Sequence, residues 1–338
     1  MNKRVLCLCG LLMIGLGFTE SSPSVAAIST STLDTPPLWV LKKPGPSTQV
    51  KVTVAQRGIN PCLTPDPGFP GYSSWDRAPS LGQMIVPNDL RVDRKGNFDL
   101  VIHFHGHEAA RKEWVRAADG VVMAGIDLGN GSGAYEDKFA DPAAFPRLVK
   151  SIEDGVAKRM NLSRAKARRV ALTSWSAGYG ATLRILGTTF GKRRVDAVVL
   201  LDGLHTGYFG GGIDTSKLRP FVDFARSAAA SQKLMVISHS SIIPPGYAST
   251  TETAQYLAWA VGGKPEVSKH QEAYRLGLNE ISRYSTGSFH VRGFSGNEAL
   301  DHCAQFEMLG YAAREFLASR WGFLPVSGNP AAQVTASR

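Results

Sequence analysis

The sequence predicts an α/β fold with a mostly parallel central sheet of about eight strands and helices on both faces. Three observations point there. Short runs rich in Val, Ile and Leu recur along the chain, with helix-period segments between the later ones. Gly and Pro, 35 and 19 in 338 residues, gather between these segments as turns rather than as low-complexity tracts. The run Arg168–Gly180, RRVALTSWSAGYG, passes from strand to helix through small residues around Ser176.

The chain opens with a basic Asn2-Lys3-Arg4, an apolar stretch from Val5 to Phe18 and small residues at Ser24–Ala27, which together read as a secretory signal peptide over 1–27. The apolar stretch is shorter than the roughly 20 residues a membrane span needs, so no transmembrane segment is expected after cleavage. Cys7 and Cys9 follow Leu6 and Leu8, not the small residue a lipid-attachment site requires. Cleavage removes Lys3, Arg4 and Glu20 and lowers the formal net charge from +10 to +9. Only Cys62 and Cys303 then remain; in a periplasmic or secreted protein they can form one disulfide, the alternative being two buried free thiols.

Residues 28–48, rich in Ser, Thr and Pro, read as an exposed lead-in, 49–324 as one folded domain and 325–338 as a disordered tail. Strands are expected at Val50–Ala55, Gln83–Val86, Phe98–Phe104, Gly120–Asp127, Arg169–Trp175, Val195–Leu201, Lys233–Ser238 and Ser288–Phe294. Helices are expected at Glu108–Ala118, Phe145–Met160, Ala177–Leu186, Leu218–Ala229, Thr251–Ala260 and Cys303–Trp321. Two early strands followed by regular alternation give a sheet with an antiparallel start.

In such sheets the working groups gather beyond the carboxyl ends of the strands. That rule selects His105 and His107 after the Phe98–Phe104 run, Ser176 after Trp175, Asp202 after Leu201, and His302 ahead of the last helix. His290 lies within a strand and His239 directly after one, which makes both weaker candidates for a base.

With SWSAG at the strand–helix turn, a His-Gly step in VIHFHGH and a late histidine before the terminal helix, in the order Ser, Asp, His, the sequence resembles the α/β-hydrolase superfamily from about Phe98 to Trp321. Ser174 departs from the pattern, standing where G-x-S-x-G has its first glycine. The resemblance implies the α/β-hydrolase fold and acyl transfer without a cofactor or metal. Ser176 is the implied nucleophile, His302 the general base and Asp202 the orienting acid. The backbone N–H groups of Ala177 and His107 are the implied oxyanion hole. Asp202 is preferred because it follows an apolar strand at the same edge as Ser176; Glu252, Asp301 or no acid at all are the alternatives.

The expected activity is hydrolysis of an ester on a small-molecule or polymeric acyl substrate, with a peptidase or amidase on the same triad as the alternative. A second alternative is a metal-dependent hydrolase, because His103, His105 and His107 alternate in HFHGHE and would share one side of an extended segment. A third is a non-catalytic binding protein of the same fold. The loops around 60–79 and 205–214 carry aromatic and turn residues suited to a pocket rim, and 242–249 could form a small lid. Basic groups at Lys158, Arg159, Arg164, Lys166, Arg168, Arg169 and Lys192–Arg194 precede strands and so belong at the opposite edge. They are expected to face anionic envelope polymers or lipid headgroups, or simply solvent, and not nucleic acid.

Overall fold

In a computed structural model of the chain, the described residues are Pro36, Val40, 52–77, 80–90, 92–270, 274–323 and 325–326, and all fall in one compact unit. The expected signal peptide lies outside them. So do the first two residues of the strand expected at Val50–Ala55 and all of the expected tail beyond Val326.

The strands are β1 (Asp76–Arg77), β2 (Gln83–Ile85), β3 (Asn97–Phe104), β4 (Val122–Ile126), β5 (Lys166–Trp175), β6 (Val195–Leu201), β7 (Tyr208–Phe209), β8 (Gly212–Ile213), β9 (Leu234–His239), β10 (Glu266–Val267), β11 (Glu280–Thr286) and β12 (Phe289–Phe294). Ten of them form one sheet in the order β1-β2-β4-β3-β5-β6-β9-β12-β11-β10, and β7 and β8 pair as a separate hairpin. The central strands, β4 to β12 in that order, run parallel, and antiparallel strands close both edges.

Alternation along the parallel strands feeds two cores, as a sheet covered on both faces requires. Leu100, Ile102, Val170, Leu172, Val198 and Leu200 pack on one side, and Val101, Ala171, Ala197, Val199 and Val236 on the other. Burying a Leu, Ile or Val side chain in such a core stabilises by about 1.5–3 kcal/mol.

The sheet has ten strands rather than about eight. The additions are short or polar edge strands: β1 and β10 are two exposed residues each, and the sequence of β11, EISRYST, alternates only weakly and stays largely half-exposed. The strand expected at Val50–Ala55 gives way to a helical turn at Val54–Arg57. Thr53 and Gln56 cap its amino end reciprocally, and Gly58 ends it in the left-handed region at φ 69°. Val40, inside the lead-in expected to be exposed, is fully buried in the core. Pro325 bridges to Ala118 and Val326 N–H donates to Ala117 O, so the first two residues of the expected tail are tied down. Among the described residues no helix is long and apolar enough to cross a membrane.

Register decides what meets at the carboxyl edge. Phe104 of β3 lies opposite Ser174 of β5, and Trp175 of β5 opposite Leu201 of β6. Ser176 and Asp202 therefore leave the sheet at the same level, and His105, one residue back, leaves it level with Trp175. At the other edge many of the basic residues are held internally. Arg168 and Arg169 both pair with Asp99, Lys192 pairs with Asp223 at 3.2 Å, and Arg194 Nη1 donates to the carbonyl of Arg168 at 3.0 Å.

Candidate active site

Strand β5 ends at Trp175, and Ser176 adopts φ 48°, the left-handed region, before a single 3₁₀ turn leads into the helix Tyr179–Leu186. A non-glycine residue held there costs on the order of 1–3 kcal/mol and persists only where its surroundings over-determine it. Two glycines do so. A Cβ on Gly178 would lie 2.1 Å from the carbonyl oxygen of Phe104, so the turn is pressed against the end of β3. On the opposite side, a Cβ on Gly203 would lie 2.4 Å from Ser176 O and 2.7 Å from Ser176 N. Ser174, by contrast, is fully buried inside the strand.

Asp202 leaves β6 at φ 44° and is 2 % exposed. Its Oδ2 accepts from His302 Nδ1 at 2.7 Å, and its Oδ1 accepts from Ser240 N–H at 2.8 Å and from the Thr250 hydroxyl at 2.6 Å. Burial alone would raise its pKa, but the His302 imidazole, the Ser240 amide and the Thr250 hydroxyl together hold it well below the usual carboxylate range. A carboxylate on Nδ1 fixes the His302 proton there and leaves Nε2 with its lone pair.

His302 sits on the helix Ala299–Ala304, whose amino end is closed by Glu298 and Asp301 capping one another. Trp175, the residue before Ser176, holds it twice. The indole N–H donates to His302 O at 2.9 Å, and the two rings lie 4.4 Å apart. The next residue, Cys303, is joined to Cys62 by a disulfide with Cα atoms 5.1 Å apart, tethering the Pro/Gly-rich loop beside the histidine. Closing a loop of sequence separation 241 is worth roughly 5 kcal/mol in the chain-entropy model.

The rival acids are occupied elsewhere. Glu252 caps its helix, accepting from Ser249 N–H and hydroxyl at 2.7 Å each, and receives the Tyr208 hydroxyl. Asp301 accepts from Glu298 N–H at 3.0 Å and pairs with Arg57. His290 stacks on Phe316 at 4.0 Å, where burial and then Arg292 push its pKa down to about 4. His239 is buried, with Nδ1 3.0 Å from the Thr251 hydroxyl.

On the β3 side the three alternate histidines diverge. His105 adopts φ 72°, which ends the extended alternation that would have aligned them. His103 is fully buried between Thr173 Oγ1 and His105 O, each 2.8 Å away, and burial pushes its pKa down to about 4. His105 Nδ1 meets the Tyr135 hydroxyl at 3.0 Å, and His107 Nδ1 meets Asp127 Oδ2 at 2.6 Å. That bond raises the His107 pKa against the opposing effect of burial. Among the described residues no group of three such ligands could hold a metal ion. The backbone N–H of His107, the expected oxyanion donor, points at Asp127 Oδ1 at 3.4 Å. Ala177 is the second residue of the 3₁₀ turn that Ser176 opens, where the first amides have no intrahelical acceptor.

Several contributors to this edge carry no signal in the sequence: Thr250 and Ser240 on Asp202, Tyr135 on His105, and Asp127 under His107. His205 is another. Its Nδ1 lies 3.0 Å from Ala248 O, and its ring is edge-on to Tyr179 and Tyr247. The rim loops supply Trp75, 5.2 Å from the His107 ring, and Phe209, 84 % exposed at the tip of the β7–β8 hairpin.

Parallel strands with this order, a left-handed serine at the β5–helix turn and helices on both faces decide the architecture. The fold is the α/β-hydrolase fold. No protein-family model and no curated protein matches the chain. Among solved structures it is similar to Est1E from Butyrivibrio proteoclasticus, at 12% identity and TM-score 0.34 over 74% of this chain and 98% of that one. It is also similar to the thermophilic esterase Est2 of the planctomycete Thermogutta terrifontis with butyrate bound, at 13% identity and TM-score 0.42 over 78% of this chain and 98% of that one.

The Gly203 contact yields a direct expectation. Gly203→Ala puts a methyl group 2.4 Å from Ser176 O, so either the Ser176 turn or the Asp202 turn must give way. Turnover should fall by about 10²-fold, the cost of misplacing reacting groups by roughly 1 Å. Steady-state kinetics on the folded variant check this, and unchanged kcat would show that the elbow tolerates the displacement.

Proposed function

We propose that the chain is an exported serine hydrolase that cleaves a carboxylic ester through Ser176, His302 and Asp202. The observation that carries the reading is the 2.7 Å bond from His302 Nδ1 to the buried Asp202 carboxylate, next to a serine in left-handed conformation on the adjacent strand end. In the proposed reaction His302 Nε2 takes the Ser176 proton as Oγ attacks the acyl carbon. The imidazolium so formed is stabilised by Asp202, and its proton is then delivered to the leaving alkoxide. Water repeats the sequence on the acyl-enzyme. Asp202 remains ionised throughout because its three donors favour the charged form. Export is supported by the basic-apolar-small order of residues 1–27 and by the Cys62–Cys303 disulfide, a bond that persists in oxidising compartments. The basic edge opposite the site, where Asp99 serves two arginines, is proposed to rest against anionic envelope material.

The test is a fluorophosphonate probe alongside a panel of p-nitrophenyl esters and aminoacyl amides, with and without a chelator. Labelling of Ser176 with chelator-insensitive ester turnover is expected. Turnover lost to the chelator without labelling would overturn the reading, and faster amide than ester cleavage would move it to a peptidase.

A further inference from the structure

We propose that one of the two oxyanion donors is the side chain of His105, acting through its imidazole Nε2–H, rather than a main-chain amide of the loop after β3. The inference rests on the acyl-transfer reading above. A tetrahedral oxyanion needs preorganised donors on the side away from the base, and Ala177 N–H supplies one. The β3 loop must supply the other, yet its amides are already spent. His105 N–H donates to Ile126 O at 2.9 Å, and His107 N–H faces Asp127 Oδ1 at 3.4 Å. The Gly106 amide lies close enough to Asp127 to help hold that carboxyl below its ordinary pKa. Releasing the His107 amide would mean loosening a residue that Asp127 also grips through the ring at 2.6 Å. It would also leave a carboxylate beside a developing negative charge.

The His105 ring stands where an amide does not. The β3–β5 register sets His105 level with Trp175, and the two rings lie parallel, 5.1 Å apart at 11°, immediately before the nucleophile. The left-handed backbone at φ 72° turns this side chain out of the strand alternation. We assign its hydrogen-bond polarity from behind. The Tyr135 hydroxyl accepts from Leu128 N–H at 3.1 Å and is assigned as the donor to His105 Nδ1, 3.0 Å away. An accepting Nδ1 in a neutral ring leaves the proton on Nε2. Burial, opposed by Asp127 and aided by His302, lowers the His105 pKa and so keeps the ring neutral. His105 Nε2 has no hydrogen-bond partner among the described residues, which leaves this N–H for a ligand. His205 has the opposite polarity: its Nδ1 must donate to Ala248 O, so its Nε2 is an acceptor and could not serve an oxyanion.

The experiment compares His105→Gln with His105→Met on p-nitrophenyl butyrate. Both variants place an unbranched chain of similar size on the same left-handed backbone and lose the same ring stacking, but only Gln retains an N–H donor. His105→Met should lose roughly 10²- to 10³-fold in kcat with KM changed by less than about threefold, and His105→Gln should recover at least about tenfold of that. Tyr135→Phe, which frees the tautomer, should fall between wild type and His105→Met. Equal kcat in the Gln and Met variants, or wild-type kcat in both, would overturn the assignment while the wild type still turns over ester and takes the fluorophosphonate label. A wild type that does neither would overturn the acyl-transfer reading, and this assignment with it.

Discussion

Ser176→Ala is expected to leave a folded protein whose ester turnover is reduced by roughly 10⁶-fold, the loss that follows removal of a triad nucleophile. The fold should survive because the elbow is held by backbone contacts rather than by the hydroxyl. Gly178 lies against Phe104 O, and Gly203 lies against the Ser176 main chain. Alanine accepts φ 48° with strain comparable to that of serine, so melting temperature should move by only a few degrees. Ser174→Ala is the control. Its Oγ is buried without a hydrogen-bond partner among the described residues, so removing it should leave kcat near wild type and cost little stability. Steady-state kinetics and thermal melting of both variants check this pair of expectations. Turnover by Ser176→Ala within tenfold of wild type would place the nucleophile elsewhere.

Asp202→Asn should lower kcat by up to about 10⁴. The asparagine carbonyl can still accept from Ser240 N–H and Thr250, which keeps the side chain in place. The amide then presents a donor to His302 Nδ1, which forces the imidazole proton onto Nε2 and removes the base. Stability should change as well, and its sign follows from the depressed pKa of the carboxylate. The contribution of Asp202 is present above the ordinary Asp value of about 3.9 and is lost as pH falls through the lower folded value. The variant should therefore be destabilised at neutral pH and lack that acid limb. Glu252→Gln and Asp301→Asn alter helix caps instead, costing about 0.5–2 kcal/mol each while leaving kcat within a few-fold. Collapse of kcat in one of these two, with Asp202→Asn near normal, would reassign the acid.

The parallel core was legible in the sequence because its strands are continuous apolar runs. Val195–Leu201 is an expected strand that the structure reproduces with the same bounds. The edge strands were not legible, since β11 lies half-exposed and polar and β1 and β10 are two residues long, too short for periodicity to register. At the candidate site the strand-to-helix turn could be read from its small residues. Its neighbours could not: nothing local marks Thr250 as a partner of Asp202, 48 residues away, or Tyr135 as the group behind His105. The His-x-His-x-His alternation, which raised the metal-site alternative, does not gather the three imidazoles because the extended backbone it presumes ends at His105, at φ 72°.

Both ends of the segment between β9 and the helix Thr250–Ala260 are pinned to one atom. Ser240 N–H and the Thr250 hydroxyl both bond Asp202 Oδ1, and Ser241 and Ala248 are further anchored to Gly296 and Thr206. Residues 242–247 thus bridge two fixed posts without carrying any proposed catalytic group, and they hold Tyr247 against His205. For engineering this makes them a replaceable cassette. Each doubling of such a loop costs only about 0.6 kcal/mol in closure entropy. Libraries of altered length here can therefore reshape what is admitted beside His205 while both posts keep Asp202 in register.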